Sequence, residues 1–224
     1  MNKEKLLKLN LQYFAGEEKN YKASTGVDEF YYGVLDEKTN TVSSINHVKF
    51  LQDIEVAMTS EIARAHGDNK VAELGVSQGP VTVSGNFHSI PQSDKDTLLG
   101  LEVSTNGLSA HGSTDNPPYV VVVFAKTYED GSKEYVGLPK GKFLKTSISG
   151  QSKQGSTTFS QDPISAEFMD REVTGFKEEK SVVTGRDAKA ENTKRDALFQ
   201  AVFGQAYPST TTTTSSTTTT TTVA

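Results

Sequence analysis

The chain contains no cysteine and no tryptophan, and only three methionines and seven prolines among its 224 residues. Without cysteine there is no disulfide framework, thiolate metal site or cysteine nucleophile. Long apolar runs are missing too. Near the N-terminus Lys3, Lys5, Lys8, Asn10 and Gln12 break up every apolar stretch, so neither a signal-peptide hydrophobic region nor a membrane span is expected. Basic charge is in deficit, with 23 Lys and Arg against 28 Asp and Glu for a net charge of -5. A protein that grips nucleic acid needs clustered cations to neutralise phosphates, and here they are dispersed. The four histidines, His47, His66, His88 and His111, follow no HxH or HExxH spacing, which offers no metal motif.

What is present is β-type patterning in a length that suits one substantial domain with unstructured ends. The central stretch is Asn116 to Phe143, NPPYVVVVFAKTYEDGSKEYVGLPKGKF. Two strand-like runs, Tyr119 to Tyr128 and Lys133 to Leu138, flank Glu129-Asp130-Gly131-Ser132, whose Asp-Gly supplies the positive φ of a tight hairpin turn. Val120 to Phe124 leaves neither face polar, which predicts a central strand covered on both sides. Pro117 and Pro118 lack donors and belong at its entrance.

Upstream, Gly26 to Val42 reads as a strand, a polar turn at Asp36 to Asn40, and the start of another strand. Phe50 to Thr59 alternates, with Ile54, Val56 and Met58 on a core side and Asp53, Glu55, Ala57 and Thr59 on the other. Ser60 to Ala72 has a helical stretch up to His66, closed by the turn signal Gly67-Asp68-Asn69. Val81 to Ile90 is a strand by alternation. The stretch from Pro91 predicts a helix with Ser93 as N-cap, Asp94 and Asp96 near its positive end, and Leu98, Leu99 and Leu101 to bury. Thr105 to Asp115 is read as a loop, and Lys145 to Ser156 as a polar segment. Thr157 to Met169 is a strand that Pro163 assigns to an edge or a bulge. A short strand at Val182-Val183 and a terminal amphipathic helix over Thr193 to Tyr207, with Leu198, Phe199 and Val202 as its stripe, complete the domain. Residues 1 to 22 suit a short helix or a strand-like arm equally. From Pro208 the sequence is almost pure Ser and Thr, with too little to bury to fold.

Three motifs suggest chemistry, and the residues around them argue otherwise. Gly75-Val76-Ser77-Gln78-Gly79 matches GxSxG, but Pro80 and a strand follow where a nucleophile elbow needs a helix, so a turn before a strand is expected. Gly137 to Phe143 is one residue short of a phosphate loop and has Phe143 where a hydroxyl belongs. Asp94-Lys95-Asp96 pairs carboxylates as a metal site would, yet two acids opening a helix are favoured by its dipole alone. No catalytic residue, cofactor or metal is expected.

The hairpin, with Thr158 to Ile164 after it, resembles the major tail protein (tail tube protein) of long-tailed phages of Gram-positive bacteria, in particular the phi13-type family. The resemblance lies in Pro118 to Phe124, Asp130-Gly131, Glu134 to Gly137 and Lys140 to Phe143, and extends more loosely over residues 26 to 207. It implies a mainly β, antiparallel β-sandwich of the tail tube type with one packed α-helix and a short C-terminal helix. It also implies a non-enzymatic virion protein that forms six-membered rings, stacked into the tube for DNA ejection.

Implied partners are the chain itself, other tail proteins such as tape measure and tail terminator, and DNA in transient, non-specific passage; no membrane is involved. Assembly would take place in the host cytoplasm. Under this resemblance Asp53 and Glu55 are lumen candidates, since a mildly acidic wall lets DNA slide. Ala65, His66, Gly67, Asp68 and Asn69 fall in a loop where relatives contact the next ring. The implied organisation is an N-terminal arm at 1-25, a β-sandwich at 26-207 and a disordered Thr-rich tail at 208-224. The competing reading is a monomeric β-sandwich binding or adhesion module on a Thr-rich stalk.

Overall fold

The computed structural model describes residues 22–148, 150 and 159–208; the N-terminal arm up to residue 21 and the Thr-rich tract from residue 209 lie outside them. The elements are β1 (Ser24–Asp36), β2 (Thr41–Val42), β3 (Asn46–Val48), β4 (Leu51–Gly67), β5 (Lys70–Phe87), α1 (Gln92–Leu99), β6 (Glu102–Val103), β7 (Ser109–Ala110), β8 (Val120–Tyr128), β9 (Lys133–Leu144), β10 (Asp162–Phe168), β11 (Val183–Asp187) and α2 (Thr193–Phe203). Among the described residues the fold is mainly β with two helices. One large antiparallel sheet runs in the order β2-β1-β8-β9-β10-β5-β4, with β3 added to β1 and β11 to β9.

The expected central hairpin is there. β8 and β9 pair from Thr127↔Lys133 to Val120↔Gly141, around a turn in which Gly131 has a φ of 80° and the Ser132 N–H donates to Asp130. The valine run is buried on both sides. Val120, Val122 and Phe124 join an inner cluster with Phe30, Tyr32, Val83, Phe87, Leu138, Phe143, Phe168 and Leu98 of α1. Val121, Val123 and Ala125 join an outer cluster under α2, with Tyr31, Tyr135, Leu198, Phe199, Val202 and Phe203. Phe30 on β1 meets Phe87 on β5 edge to face at 5.0 Å, although three strands separate β1 from β5 in the sheet order. The sheet therefore rolls back on itself around the inner cluster.

Several expectations are corrected. Pro163 lies in β10, which is flanked by β9 and β5 rather than at an edge. It is tolerated because pairing with β9 begins only at Ser165↔Leu144, leaving Pro163 opposite Asn86 of β5 alone. The N-cap of α1 is Pro91, not Ser93, with no side-chain cap; the Ser93 carbonyl instead accepts from Thr97 Oγ1. Gly100 closes the helix in the left-handed conformation at φ 61°. The stretch from Thr105 to Asp115 was expected as a loop, but Ser109–Ala110 pairs back on Glu102–Val103.

The start of α2 depends on a residue that local pattern does not reveal. Asn192 provides no side-chain cap, and the buried Asp187 at the end of β11 accepts from the N–H groups of Lys194 and Arg195. A carboxylate at a helix N-terminus meets both the orphan donors and the dipole there. The segment after α2 is tied back to β1, where the Tyr207 hydroxyl lies 3.0 Å from that of Tyr31 and also donates to Glu29. Lys133 pairs with that same Glu29 and with Asp28. Burial pulls its pKa down, but these two carboxylates outweigh it and raise the ammonium above the ordinary lysine range.

Candidate assembly surfaces

β4 and β5 pair from Leu51↔Phe87 to Gly67↔Lys70, with register shifts after Leu51, Met58 and Ala65, but only their first half belongs to the body. Ile54 and Val56 pack against the inner cluster, and β10 supports β5 as far as Val81. Beyond that point, among the described residues, no further strand pairs with either of them. A register shift between Met58 and Ser60 marks the exit, the kind of irregularity that twists a strand pair away from its sheet. At the tip, Asp68 and Asn69 have φ of 50° and 61°, the double left-handed signature of a two-residue hairpin turn.

The segment read as helical up to His66, and as a loop under the resemblance, is instead the outer part of a long hairpin arm, with Ala65, His66 and Gly67 in its first strand and Asp68-Asn69 as its turn. Relatedly, Gly75 to Gly79 is not a turn before a strand: Ser77 lies exposed inside β5, opposite Glu61. No helix follows it, so the nucleophile geometry is absent there. The Asp68-Asn69 turn was legible from sequence. The strands on either side were not, because Gly75 and Gly79 resemble loop punctuation.

Pairing gives the arm two unlike faces. Ser60, Ile62 and Arg64 stand opposite Gln78, Val76 and Leu74, so Ile62, Val76 and Leu74 form one apolar stripe. They are 56%, 68% and 60% exposed. On the other face Glu61, Ala63 and Ala65 oppose Ser77, Gly75 and Glu73, small side chains and carboxylates only. A lone two-stranded hairpin is marginal in water, and an apolar stripe on one is a contact surface looking for cover. Sequence reading missed Ile62, Leu74 and Val76, whose signal was alternation on both sides of a two-residue turn.

A second surface lies on the face of β4, β5, β10 and the end of β9 that points away from the inner cluster. Cross-strand rows there run Glu55, Ser84, Ser165, Leu144 and Ala57, Thr82, Glu167, Lys142. Asp53 sits on the same face opposite Asn86, which donates to both carboxylate oxygens at 3.1 Å. Three carboxylates, Asp53, Glu55 and Glu167, thus stand among hydroxyls and amides, while the ammonium of Lys142 donates to Asn116 and lies over the Tyr119 ring. The structure brings Asp53 and Glu55 together with Glu167, which sequence reading had not singled out.

The remaining candidates have local partners. Asp94 accepts from the Tyr32 hydroxyl at 2.6 Å, and Asp96 accepts from Gln92. Among the described residues no group of His, Asp or Glu is placed to hold a metal ion. No helix among them is long and apolar enough to cross a membrane.

Residues 55–211 match the family model for phage tail tube protein. The chain belongs to the phage tail tube protein family. The match takes in the whole arm, most of the acidic face, the central hairpin and α2. No curated protein matches the chain. As a tail tube protein it is a structural component of the virion tail that assembles with other copies and tail components.

Proposed function

We propose that this tail tube protein polymerises as stacked hexameric rings into the conduit through which DNA leaves the virion, after assembly in the host cytoplasm. The observation that carries the reading is the arm: its apolar stripe, exposed in a single chain, gains cover when a second copy packs on it. A head-to-tail contact of this kind is heterologous, and repetition along an axis builds a filament. The arm tip, Ala65 to Asn69, contacts the next ring, and the edge strands β4 and β3 meet neighbours around each ring, where their unpaired ladder groups find partners. Six-membered rings are what the resemblance to phi13-type major tail proteins implies.

In this reading Asp53, Glu55 and Glu167 face the lumen, where repulsion of phosphates keeps the passing DNA from sticking. The body at 26-207 builds the wall, the arm at 1-25 and the tail at 208-224 flank it, and tape measure and tail terminator proteins are its other partners. No catalysis is involved.

Electron micrographs of the purified chain across a concentration series, with light scattering for mass, test the proposal. Rings or hollow tubes are expected. A monomer that persists at high concentration and in the presence of a tail initiator complex contradicts it and favours a monomeric binding module.

A further inference from the structure

Two steps of the chain place glycine directly after a residue whose side chain can cyclise onto the backbone. Asn106-Gly107 is the one Asn-Gly step in the sequence, and Asp130-Gly131 the one Asp-Gly step. Glycine carries no Cβ to shield its own nitrogen, so that nitrogen can approach the side-chain carbonyl carbon of the residue before it. What holds the two residues decides whether it does.

The Asp130 step is locked. Its carboxylate accepts from the Ser132 N–H at 2.9 Å and from the Ser132 hydroxyl at 2.6 Å, and it faces Arg186 at 3.7 Å. The Lys189 side chain lies close over Gly131. The turn also joins β8 to β9, whose long pairing runs through the body.

Asn106 is in the opposite situation. It is exposed along with its neighbours from Glu102 to Leu108, and its side-chain amide has no partner among the described residues. Gly107 has a φ of 77°, and nothing lies within 4 Å of where its Cβ would stand. Among the described residues the turn hangs from β6 and β7 alone, a separate two-stranded sheet that pairs Glu102↔Ala110 and Val103↔Ser109. So short a ribbon opens locally at little cost. The bond that opposes the chemistry runs from the Gly107 N–H to the Ser104 carbonyl at 2.9 Å, and opening of the ribbon releases it.

We infer that Asn106 is a self-modification site, where the folded chain converts its own Asn106-Gly107 step to a mixture of isoaspartate and aspartate. The Gly107 nitrogen gives up its proton and bonds to Asn106 Cγ, and the side-chain amide nitrogen leaves as ammonia, closing a succinimide ring. Water then opens the ring. Breaking the bond from the ring nitrogen to Cγ leaves aspartate. Breaking its bond to the main-chain carbonyl carbon leaves isoaspartate, with the backbone rerouted through Cβ. One water is consumed and one ammonia released, with no change of oxidation state. The product adds a carboxylate to a chain whose net charge is already -5, and the extra main-chain methylene of isoaspartate breaks the short β6–β7 ladder.

The test incubates the full chain at mildly alkaline pH, folded in buffer and unfolded in guanidinium chloride. Peptide mass spectrometry and isoaspartyl methyltransferase labelling then read both samples. In the folded chain the Asn106 peptide is expected to gain isoaspartate ahead of every other asparagine, at a rate within about tenfold of that in denaturant. The Asp130 peptide is expected to gain it in denaturant only. A folded-state rate at Asn106 slowed by more than about tenfold means that the Ser104 bond locks the turn, and overturns the inference. Earlier conversion at another asparagine, or conversion to aspartate alone, overturns it too. Asn106→Gln, whose longer side chain disfavours ring closure, should abolish isoaspartate at this step, and a signal that persists there contradicts the mechanism.

Discussion

From Leu51 to Met58, β4 lays Ile54 and Val56 against the inner cluster, while from Ser60 to His66 the same strand, still paired with β5, is exposed on both faces. The hydrogen-bonded ladder is common to both halves. What differs is the third layer: β10 and the rolled sheet back the first half, and no element among the described residues backs the second. A ladder alone therefore does not fix where a strand is stable. The body half is held by its own fold, and the arm half depends on whatever covers Ile62, Leu74 and Val76.

The comparison predicts opposite outcomes for equally drastic changes. Phe168→Ala in the body removes a fully buried ring and is expected to cost about 3–5 kcal/mol of folding stability, read from the denaturant midpoint. Ile62→Asp with Val76→Asp in the arm should leave that midpoint within about 0.5 kcal/mol. The same pair should raise the concentration needed for tubes by at least about tenfold, through loss of buried apolar area. A large shift of the midpoint by the arm variant would mean that the arm belongs to the folding core.

Gly141→Ala sharpens the boundary between the halves. A Cβ there would sit 2.6 Å from the Glu167 carbonyl oxygen and 2.4 Å from the Phe168 ring, so a loss of about 1–3 kcal/mol is expected. The matching change in the arm, Gly75→Ala, meets nothing within 4 Å and should be nearly silent in thermal melts of the unassembled chain.

The smallest expected effect is on pH dependence, and it too belongs to the body. Burial pushes the Asp162 carboxyl up, but the Lys95 ammonium and the Ile90 N–H outweigh it and hold the carboxyl below the ordinary range. Its folded pKa is thus depressed, so its contribution is present above the unfolded value near pH ~4 and is lost as pH falls through the folded one. Asp162→Asn should flatten the acid limb of a stability-pH curve.

Much of the body was legible in the sequence. Val120 to Phe124 forecast a strand buried on both faces, Asp130-Gly131 its turn, and Leu198, Phe199 and Val202 a packed terminal helix. Those signals are local: a period, a turn residue, a stripe. The Asp187 cap on α2 and the register that lets Pro163 sit beside β9 depend on distant partners. The arm was missed for a different reason. Its glycines and charges resemble a loop because both faces are solvated in one chain, and the apolar half of its pattern reports on a neighbour rather than on the fold. Asp53 and Glu55 could be placed on one face by alternation, but Glu167 joins them only through pairing with β5.

Hydrogen exchange of the arm amides, Glu61 to Ser77, before and after assembly bears most directly on the claim that the arm is completed by a second copy. Rapid exchange in the unassembled chain and strong protection in tubes, with little change in β8 and β9, is the predicted result. Arm amides as protected in the single chain as in the tube, or unprotected in both, would contradict it.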